Sequence, residues 1–422
     1  MSQTEETVQQ TDSIDSQDPN KQGEKKTKSR RPANTAFRQQ RLRAWQPILT
    51  PKTVLPLFFA VGIIFAPLGG LLIWASSKVE EISIDYSDCS NSAPNDPQSS
   101  AIPSGNVNSN FKSKTPTSSP TWSKRNETVS YGNGTADQLS YVDTTICRIS
   151  FDIPNDIGPP VLLYYRLTDF YQNHRRYVKS MDQQQLQGDA RDNSSISNSD
   201  CDPLRIDPET GKAFYPCGLI ANSMFNDTIH PPVWTEVAGS NDNNQTYNMT
   251  DQGIAWDSDK DLFKTTKYTA DQVVPPLNWR LRYPTYNETF PIPDIQTAYP
   301  FQVWMRTAGL PTFSKLALRN DTSPMRAGQY FIDINDYFPV TIYGGSKSIL
   351  ISTRTVIGGK NPFLGIAYVV VGGICIVLGA LFTATHLIKP RKLGDHTYLS
   401  WNNEQPSSAI TTGRASRPTE TT

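Results

Sequence analysis

The sequence predicts a membrane protein in which two transmembrane α-helices flank a mainly antiparallel-β, disulfide-stapled, N-glycosylated ectodomain. Three observations lead to this fold class. Two long apolar runs lie near the two ends of the chain. The stretch between them, residues 76–361, holds all eight Asn-x-Ser/Thr sequons and four of the five cysteines. The same stretch contains several short runs of alternating apolar and polar residues, which are typical of half-buried strands.

The sequons indicate the side of the membrane on which this stretch lies. N-linked glycan is added only on the lumenal side. The rest of the chain has no sequon, although the sequon density of residues 76–361 would give it about four. This asymmetry predicts a lumenal or extracellular ectodomain, with both ends of the chain in the cytosol. The predicted glycosylation sites are Asn126, Asn133, Asn193, Asn226, Asn244, Asn248, Asn287 and Asn320.

The two ends of the chain are predicted to be cytosolic tails, residues 1–53 and 389–422. The first is polar and then basic, without hydrophobic periodicity, which is typical of disordered segments. Within it, residues 34–50 combine arginines and apolar residues, among them Arg38, Arg41 and Trp45. Three interpretations stay open for this segment: an amphipathic helix at the membrane surface, a docking segment for a partner, or a basic flank.

The apolar runs, residues 54–75 and 362–388, are each long enough to cross a hydrocarbon core of about 30 Å. Small residues recur every four positions in both runs. Such stripes let another helix approach closely, so the two helices pack on each other or against a larger membrane partner. The stripe residues are Gly62, Ala66 and Gly70 in the first run, and Cys375, Gly379 and Thr383 in the second.

The ectodomain is predicted to be an antiparallel sandwich with long excursions, because short strand patterns alternate with turns. The first and last strands leave adjacent helices, so we expect them to lie close together. Residues 91–123 are rich in Ser, Pro and Asn and predict a mobile loop. The predicted strands are Val79–Tyr86, Arg148–Ile153, Val161–Leu167, Phe301–Met305, Gln329–Ile334, Val340–Tyr343 and Ser348–Thr353.

The cysteines fit an oxidising compartment. Four of them, Cys89, Cys147, Cys201 and Cys217, lie in the ectodomain, where they allow three connectivities. Cys375 lies within the second span and is predicted to be an unreacted, packed thiol.

The sequence shows no strong catalytic, metal or cofactor motif. A formal net charge of zero argues against a nucleic-acid partner, and neither a zinc motif nor a Gly-x-Ser-x-Gly elbow occurs. The carboxylates at 257, 259 and 261, and at 333 and 336, are only a weak hint of a glycosidase. We therefore predict a protein that is not an enzyme and needs no cofactor.

The most charged group in the ectodomain is His174, Arg175 and Arg176, flanked by Asn173 and Tyr177. Arginines beside a histidine and an aromatic ring can bind a lipid phosphate or an acidic loop of a partner. The same residues can also form a solvated loop whose side chains simply reach into water.

Several stretches, in order, carry a family resemblance. They are Asn34–Arg41, Tyr171–Val178, Tyr215–Asp227, Gly253–Asp259, Val303–Ala308 and Gly358–Gly365. Together they closely resemble the cell division control protein 50 and ligand-effect modulator family, in a fungal-looking form. The resemblance runs from about residue 34 to residue 401 and fades only in polar loops.

The resemblance implies a non-catalytic accessory (beta) subunit of a phospholipid-flipping P-type ATPase. Such a subunit forms a heterodimer with the catalytic alpha subunit among membrane lipids. It supports export from the endoplasmic reticulum to the Golgi, endosome or plasma membrane, and movement of phospholipid to the cytosolic leaflet. The resemblance also implies sequential disulfides, Cys89 with Cys147 and Cys201 with Cys217. It favours residues 34–50 as a docking segment and adds Trp304 and Arg306 as interface candidates. The alternative function is a ligand-binding surface or endosomal receptor without a pump.

Overall fold

The computed structural model describes residues 35–42, 50–113, 118–235, 244–354 and 358–390. Its helices are α1 (Pro51–Ser77), α2 (Cys89–Ser92), α3 (Arg175–Lys179), α4 (Gln183–Leu186), α5 (Asn193–Ser197), α6 (Leu219–Asn222), α7 (Asp257–Lys260), α8 (Tyr299–Met305) and α9 (Phe363–Ile388). Only α1 and α9, among the described helices, are long and apolar enough to cross a membrane. Helix α9 coincides with the apolar run from Phe363 to Ile388, and α1 extends a few residues beyond the first run at both ends.

The residues between these two helices form a mainly antiparallel β domain. Its strands are β1 (Glu81–Asp85), β2 (Ser100–Ala101), β3 (Val107–Asn110), β4 (Thr121–Tyr131), β5 (Ser140–Ile153), β6 (Val161–Leu167), β7 (Ala213–Phe214), β8 (Thr228–Ile229), β9 (Val233–Thr235), β10 (Gln245–Thr246), β11 (Val273–Val274), β12 (Phe313–Asn320), β13 (Gly328–Asp336) and β14 (Lys347–Thr353). The predicted fold class is confirmed: two membrane-length helices flank an antiparallel β domain that contains two disulfides.

The first sheet joins the β domain to both membrane helices. Its strand order is β12-β6-β14-β1-β3, and neighbouring strands are antiparallel. Strand β1 follows α1 and pairs with β14, which leads towards α9, so that Glu81 lies opposite Ser352. The first and last strands therefore lie side by side, as predicted.

The second sheet has the order β10-β9-β13-β5-β4-β2, with β8 also paired to β13. Strands β4 and β5 form a long hairpin, closed where Tyr131 pairs with Ser140. Alternate residues of β5 are buried, among them Ile149 and Phe151, and Ile149 lies opposite Ile332 of β13. This period of two gives each strand one core-facing side.

Strands β7 and β11 pair separately as a small parallel sheet. The main core lies between the two larger sheets. Ile84 and Ile351 of the first sheet and Ile149 and Ile332 of the second belong to one cluster, and each is at most 1% exposed. Full burial of such a side chain stabilises the fold by about 1.5–3 kcal/mol relative to an exposed one. The interlocking of the two inner faces is the antiparallel sandwich that the strand patterns predict.

A second core is built by the long excursion between β6 and β12. Trp304 of α8 is 0% exposed at its centre. Tyr165 of β6 stacks on Phe225 with ring centroids 4.0 Å apart, which joins this core to the first sheet. The disulfide between Cys201 and Cys217 lies in this part of the domain.

Three local predictions were wrong or partly wrong. Residues 301–305, predicted as a strand, lie in α8, because Pro300 fits the first turn of a helix and side chains three and four apart are buried together. Residues 341–343 form a 3₁₀ turn that ends at Gly344, whose φ is +70°. The predicted mobile loop at 91–123 contains β2, β3 and the start of β4.

Candidate partner-binding surfaces

Glycines on the two membrane helices bring their backbones into contact. A Cβ at Gly69 of α1 would lie 2.7 Å from the carbonyl oxygen of Gly365 in α9. One at Gly372 would lie 2.9 Å from the nitrogen of Ala66. Gly62 likewise faces the carbonyl of Gly372 and the side chain of Ile376. Such close approach is open only to residues without a side chain, so the pair is held by direct helix–helix packing.

The predicted small-residue stripes are only partly available to a partner. Gly62, Ala66 and Gly379 lie in the contact between α1 and α9, the arrangement in which the two helices pack on each other. Gly70 differs, because no described atom lies within 4 Å of a Cβ placed there. Cys375 and Thr383 are half-buried, and the Thr383 hydroxyl donates to the Gly379 carbonyl at 2.7 Å.

We expect Gly69→Ala to weaken the helix pair, whereas Gly70→Ala should not. The new methyl group at residue 69 would overlap backbone atoms of α9, and overpacking of this kind costs about 1–3 kcal/mol. Residue 70 has open space around it, and alanine is a better helix former than glycine. Thermal unfolding of the full chain in mild detergent measures the difference. Equal unfolding temperatures for the two variants would contradict the close packing of α1 on α9.

The candidate docking segment, residues 34–50, is described only in part. Residues 36–40 form a turn, in which the Arg41 amide donates to the Ala36 carbonyl at 2.7 Å, and both Arg38 and Arg41 are exposed. Trp45, the third residue predicted to dock there, lies outside the described residues. Docking by this segment stays a prediction.

Two disulfides join distant parts of the β domain. Cys89 of α2 is bonded to Cys147 of β5, with their Cα atoms 6.1 Å apart. Cys201 is bonded to Cys217, with Cα atoms 5.6 Å apart, and all four sulfurs belong to buried residues. This is the sequential pairing that the family resemblance implies. The first disulfide joins the start of the domain to the second sheet, and the second closes the excursion's core.

Most of the sequons lie at the surface. Asn126, Asn133, Asn193, Asn244, Asn248 and Asn287 are exposed, and Asn226 and Asn320 are half-buried. The Nδ2 atom of Asn320 donates to the backbone carbonyl of Asn248 at 2.6 Å, so these two sites are neighbours. Nδ2 is the atom that carries the glycan, and the Nδ2 atom of the exposed Asn193 also donates to a backbone carbonyl, that of Gly211, at 2.8 Å.

The charged group at residues 174–176 lies on the surface. His174, Arg175 and Arg176 are exposed at the start of α3, and Lys179 is exposed at its end. Within the described residues, none of these side chains has an ion-pair partner. Tyr177 instead turns inwards, and its hydroxyl is 2.8 Å from that of Ser223. The helix is therefore fixed by its aromatic residue and presents its cations to solvent.

Trp304 and Arg306 differ from each other in what they can contact. Trp304 is fully buried, and its indole N–H donates to the Ile220 carbonyl at 2.8 Å. This corrects the sequence expectation: the ring packs the core and cannot reach a partner. Arg306 lies at the surface, where its guanidinium covers the exposed ring of Trp256 at 3.1 Å and pairs with Asp259.

Lys315 closes the end of the helix that carries Trp304. Its Nζ donates to the carbonyls of Val303, Trp304 and Arg306, at 3.0, 2.6 and 2.6 Å. The residue is 7% exposed, and its burial, with the positive charge of Arg306, lowers the pKa of Lys315 to about 7. Lys315 is not among the residues predicted from the sequence. Its only signal there is an apolar residue two positions away on either side, at Phe313 and Ala317, which marks an inward-facing strand position.

The buried amine makes stability depend on pH. Above about pH 7 an unfolded chain binds a proton at Lys315 that the folded chain does not, so this residue's contribution to stability rises with pH up to its ordinary pKa of 10.5. Below pH 7 both states are protonated and the slope vanishes. We expect the wild type to gain about 2 kcal/mol relative to Lys315→Met between about pH 7 and pH 9. Urea unfolding at both pH values measures this gain, and parallel shifts in the two proteins would contradict it.

A buried ionic network joins both sheets. The Nζ of Lys347 lies 2.8 Å from Asp227 Oδ2 and 2.5 Å from Asp336 Oδ1, and the Tyr86 hydroxyl donates to Asp227 Oδ2 at 2.9 Å. Asp227 Oδ1 accepts two backbone N–H groups, from residues 337 and 338. Burial raises the pKa of Asp227 above its ordinary value, although Lys347 opposes the shift. This network was not predicted from the sequence, where its only signal is that Lys347 shares the strand face of Ile349 and Ile351.

Comparison with known families and proteins matches this architecture. Residues 72–392 match the LEM3 (ligand-effect modulator 3) family / CDC50 family, so the match spans the β domain and α9. The "Phospholipid-transporting ATPase accessory subunit CDC50" of Chaetomium thermophilum is 46% identical over 383 residues, covering 89% of this chain and 92% of the relative.

Two further relatives extend the comparison. The "Phospholipid-transporting ATPase accessory subunit CRF1" of Saccharomyces cerevisiae is 42% identical over 89% of this chain and 90% of its own length. The mouse "Cell cycle control protein 50A" is 37% identical over 84% of this chain and 88% of its own length. The chain is thus a two-pass membrane protein, and it belongs to the CDC50/LEM3 family.

Proposed function

We propose that this chain is the non-catalytic accessory (beta) subunit of a P-type ATPase that moves phospholipid to the cytosolic leaflet. The observation that carries the proposal is the relative named as an accessory subunit of a phospholipid-transporting ATPase, which is 46% identical over 89% of this chain. In this role the chain forms a heterodimer with the catalytic subunit. It is needed for assembly, for export from the endoplasmic reticulum and for lipid transport.

Asp333, one of the carboxylates that hint at a glycosidase, is held by two arginines of the β domain itself. Asp333 accepts hydrogen bonds from Arg148 at 2.7 Å and from Arg125 at 3.0 Å. Burial alone would raise the pKa of Asp333, but the two arginines lower it below its ordinary value. A glycosidase instead needs one carboxyl group with a raised pKa as its general acid. Asp333 therefore lacks the raised pKa of a general acid, and its contacts serve the fold.

The orientation follows from the same proposal. Residues 1–53 and 389–422 lie in the cytosol, the β domain lies in the lumen or outside the cell, and its exposed sequons carry N-linked glycan. The complex travels from the endoplasmic reticulum to the Golgi, endosome or plasma membrane. Treatment of intact vesicles with protease should spare the β domain, and treatment of the detergent-solubilised chain with a peptide N-glycosidase should raise its mobility on a gel.

An accessory subunit can act on its pump only through differential affinity for the pump's states. The β domain offers a rigid body for this purpose, because two sheets, two disulfides and two touching membrane helices fix its shape. We therefore propose that it binds the pump's lumenal loops more tightly in some states of the transport cycle. The α1–α9 pair lies beside the pump's membrane domain.

The function can be tested in cells from which this chain has been removed. We expect the pump to remain in the endoplasmic reticulum and the uptake of fluorescent phospholipid analogues at the plasma membrane to fall. Both defects should be reversed by the full chain. Normal pump location and normal uptake in the absence of this chain and any close relative would overturn the proposal.

A further inference from the structure

A groove lies at one edge of the second sheet, at the end of that sheet nearest the membrane helices. Strand β13 begins there, with Gly328 opposite Ile153 of β5. Two residues beyond Ile153, the Asn155 side chain donates to Glu80, which lies between α1 and β1, at 2.7 Å. The groove has a volume of about 400 Å³, within the range of about 300–1,000 Å³ that small-molecule sites occupy.

Three aromatic rings form the apolar part of the groove. They are Trp234 of β9, Tyr247 after β10 and Tyr330 of β13. Trp234 and Tyr330 are directly paired on neighbouring strands, so their side chains lie on the same face of the sheet. The Tyr247 hydroxyl donates to the Ser323 carbonyl at 2.6 Å, and the Tyr330 hydroxyl donates to the Arg326 carbonyl at 2.9 Å. Both tyrosines therefore hold the loop that forms the other wall.

Gly328 makes room for the indole ring. Its φ is +145°, and a Cβ at this position would overlap the Trp234 Nε1 atom. Only glycine combines this backbone conformation with so close an approach. The ring is therefore fixed across the start of β13, where it is half-buried and lines the groove.

Polar side chains surround the rings. Gln245, Asn248 and Arg326 are exposed at the groove, and no described residue forms a hydrogen bond or an ion pair with their side chains. The Arg326 guanidinium lies 5.9 Å from the centroid of the Trp234 ring. Sugar rings combine an apolar C–H face with hydroxyl edges, so an aromatic surface flanked by amides and a guanidinium complements them.

A sugar attachment site forms part of the same wall. Asn248 begins the sequon Asn-Met-Thr and is exposed at the groove. Asn320, which begins another sequon, donates to the Asn248 carbonyl at 2.6 Å. Its side-chain oxygen accepts the backbone N–H groups of residues 322 and 323, at 3.0 and 2.9 Å. Asn320 thus fixes the wall, whereas the Asn248 side chain points to no partner among the described residues.

We propose that the groove binds carbohydrate and that its occupant is the N-linked glycan of this chain's own Asn248. The inference rests on the proposed orientation, which places the β domain where sequons are glycosylated. The first N-acetylglucosamine units lie against Trp234, and Gln245 and Arg326 donate to their oxygen atoms. A sugar attached to the wall of its own site needs only weak intrinsic affinity, because a short tether gives it an effective concentration on the order of millimolar.

A glycan held in this way covers an edge of the β domain. Strand β10 is the last strand on this side of the second sheet in the described part of the chain. An uncovered edge strand can pair with another chain, and proteins commonly protect such edges. The bound glycan therefore shields both the edge and the aromatic groove from unspecific association.

Site-by-site trimming of the native full-length chain in mild detergent tests the groove. An endoglycosidase that cleaves within the glycan core is added, and mass spectrometry of glycopeptides follows each sequon with time. Asn193, exposed at the start of α5, is the control site. We expect cleavage at Asn248 to be about tenfold slower than at Asn193, as follows when the effective concentration of the tethered sugar exceeds its dissociation constant about tenfold. On glycopeptides released by a protease, the two rates should agree.

Two variants assign the protection to the groove. Trp234→Ala should raise the rate at Asn248 to that at Asn193. Because Trp234 also packs against the main core, Arg326→Ala is the second variant, and it removes only an exposed side chain. It should raise the rate about threefold, as expected from the loss of one hydrogen bond. Arg175→Ala, at an exposed position on α3, is the matched control and should leave the rate unchanged. Full protection in both groove variants would overturn the proposal.

Removal of the sugar gives an independent measurement. Asn248→Gln keeps an amide at this position but removes the attachment site, whereas Thr250→Ser retains the sequon. We expect backbone hydrogen exchange in β10 to be faster in Asn248→Gln and unchanged in both Thr250→Ser and Asn193→Gln. Equal exchange in all of these variants would mean that the glycan does not cover the edge, which contradicts the proposal.

These outcomes separate the groove from the proposed orientation. If no sequon of the β domain carries glycan, the orientation itself fails. If the other sequons carry glycan but Asn248 does not, or if its glycan is trimmed as fast as that at Asn193, the orientation stands. The groove is then open to another occupant, such as a lipid headgroup, and the proposal is overturned.

Discussion

Lys347→Met should destabilise the β domain by about 3–5 kcal/mol, because it leaves two carboxylates buried without their cation. Lys347 is 1% exposed and Asp227 0%, so water cannot replace the lost charge. The same change also removes a hydrogen bond of 2.8 Å to the Phe338 carbonyl. The effect should reach both sheets, since Lys347 also pairs with Asp336 of β13, and Asp227 accepts hydrogen bonds from Tyr86 and from the backbone that follows β13. Urea unfolding of the purified chain measures the loss.

Lys267→Met is the matched control for this experiment. Its ion pair with Asp189 has the same kind of geometry, at 2.9 Å, but the side chains are 73% and 54% exposed. Exposed pairs of this type contribute about 0–1 kcal/mol. Adding Asp227→Asn and Asp336→Asn to Lys347→Met should recover part of the stability, because the unpaired charges are then gone. A loss below about 1 kcal/mol for Lys347→Met would contradict this prediction, because it would show that Lys347 does not compensate the buried charge of the two carboxylates.

Removal of either disulfide should destabilise the domain strongly. The Cys89–Cys147 bond closes a sequence separation of 58 residues and the Cys201–Cys217 bond one of 16. In the chain-entropy description these loops correspond to about 4 and about 3 kcal/mol. We therefore expect the double Ser variant at residues 89 and 147 to lose more stability than the double Ser variant at residues 201 and 217. Cys201→Ser with Cys217→Ser should also weaken assembly and retain the pump in the endoplasmic reticulum.

Cys375→Ser supplies the control for these variants, because Cys375 is a free, half-buried thiol in α9. It should unfold and assemble like the wild type. Stability, co-purification and location of the pump are measured on the same preparations. Unchanged values for both double variants would mean that the disulfides do not support the shape that the pump binds.

The parts of the fold that were predicted from the sequence depend on local patterns. A membrane span needs about 20 apolar residues in succession, and α9 coincides with such a run. The strand at Val161–Leu167 has the predicted bounds, because turns lie on either side of it. The pairing of β1 with β14 followed from the two spans, since adjacent helices bring the chain's first and last strands together.

The parts that were missed depend on contacts between distant residues. In α8, Phe301, Val303 and Met305 alternate as in a strand, yet Phe301, Trp304 and Met305 meet the second core on one helical face. Tertiary burial overrides strand propensity there. Edge strand β3 forms because β1 offers it a partner, not because its own residues favour a strand.

The candidate surfaces show the same division. The four cysteines and the cations of α3 could be identified from residue types alone. The partner of Lys347 could not, because Asp227 lies 120 residues away in the sequence. Trp304 was assigned to an interface because it belongs to a family motif, whereas its burial shows that the motif preserves a core. The groove at Trp234 is built from residues of β9, β10, β13 and the loops that follow β10 and β12, which no single pattern joins.

The accessory role is tested most directly by purification of the tagged full-length chain in mild detergent, followed by mass spectrometry of its partners. We expect a stoichiometric P-type ATPase, recognisable by its Asp-Lys-Thr-Gly-Thr phosphorylation motif. A chain that is recovered folded but without any such ATPase would contradict the account.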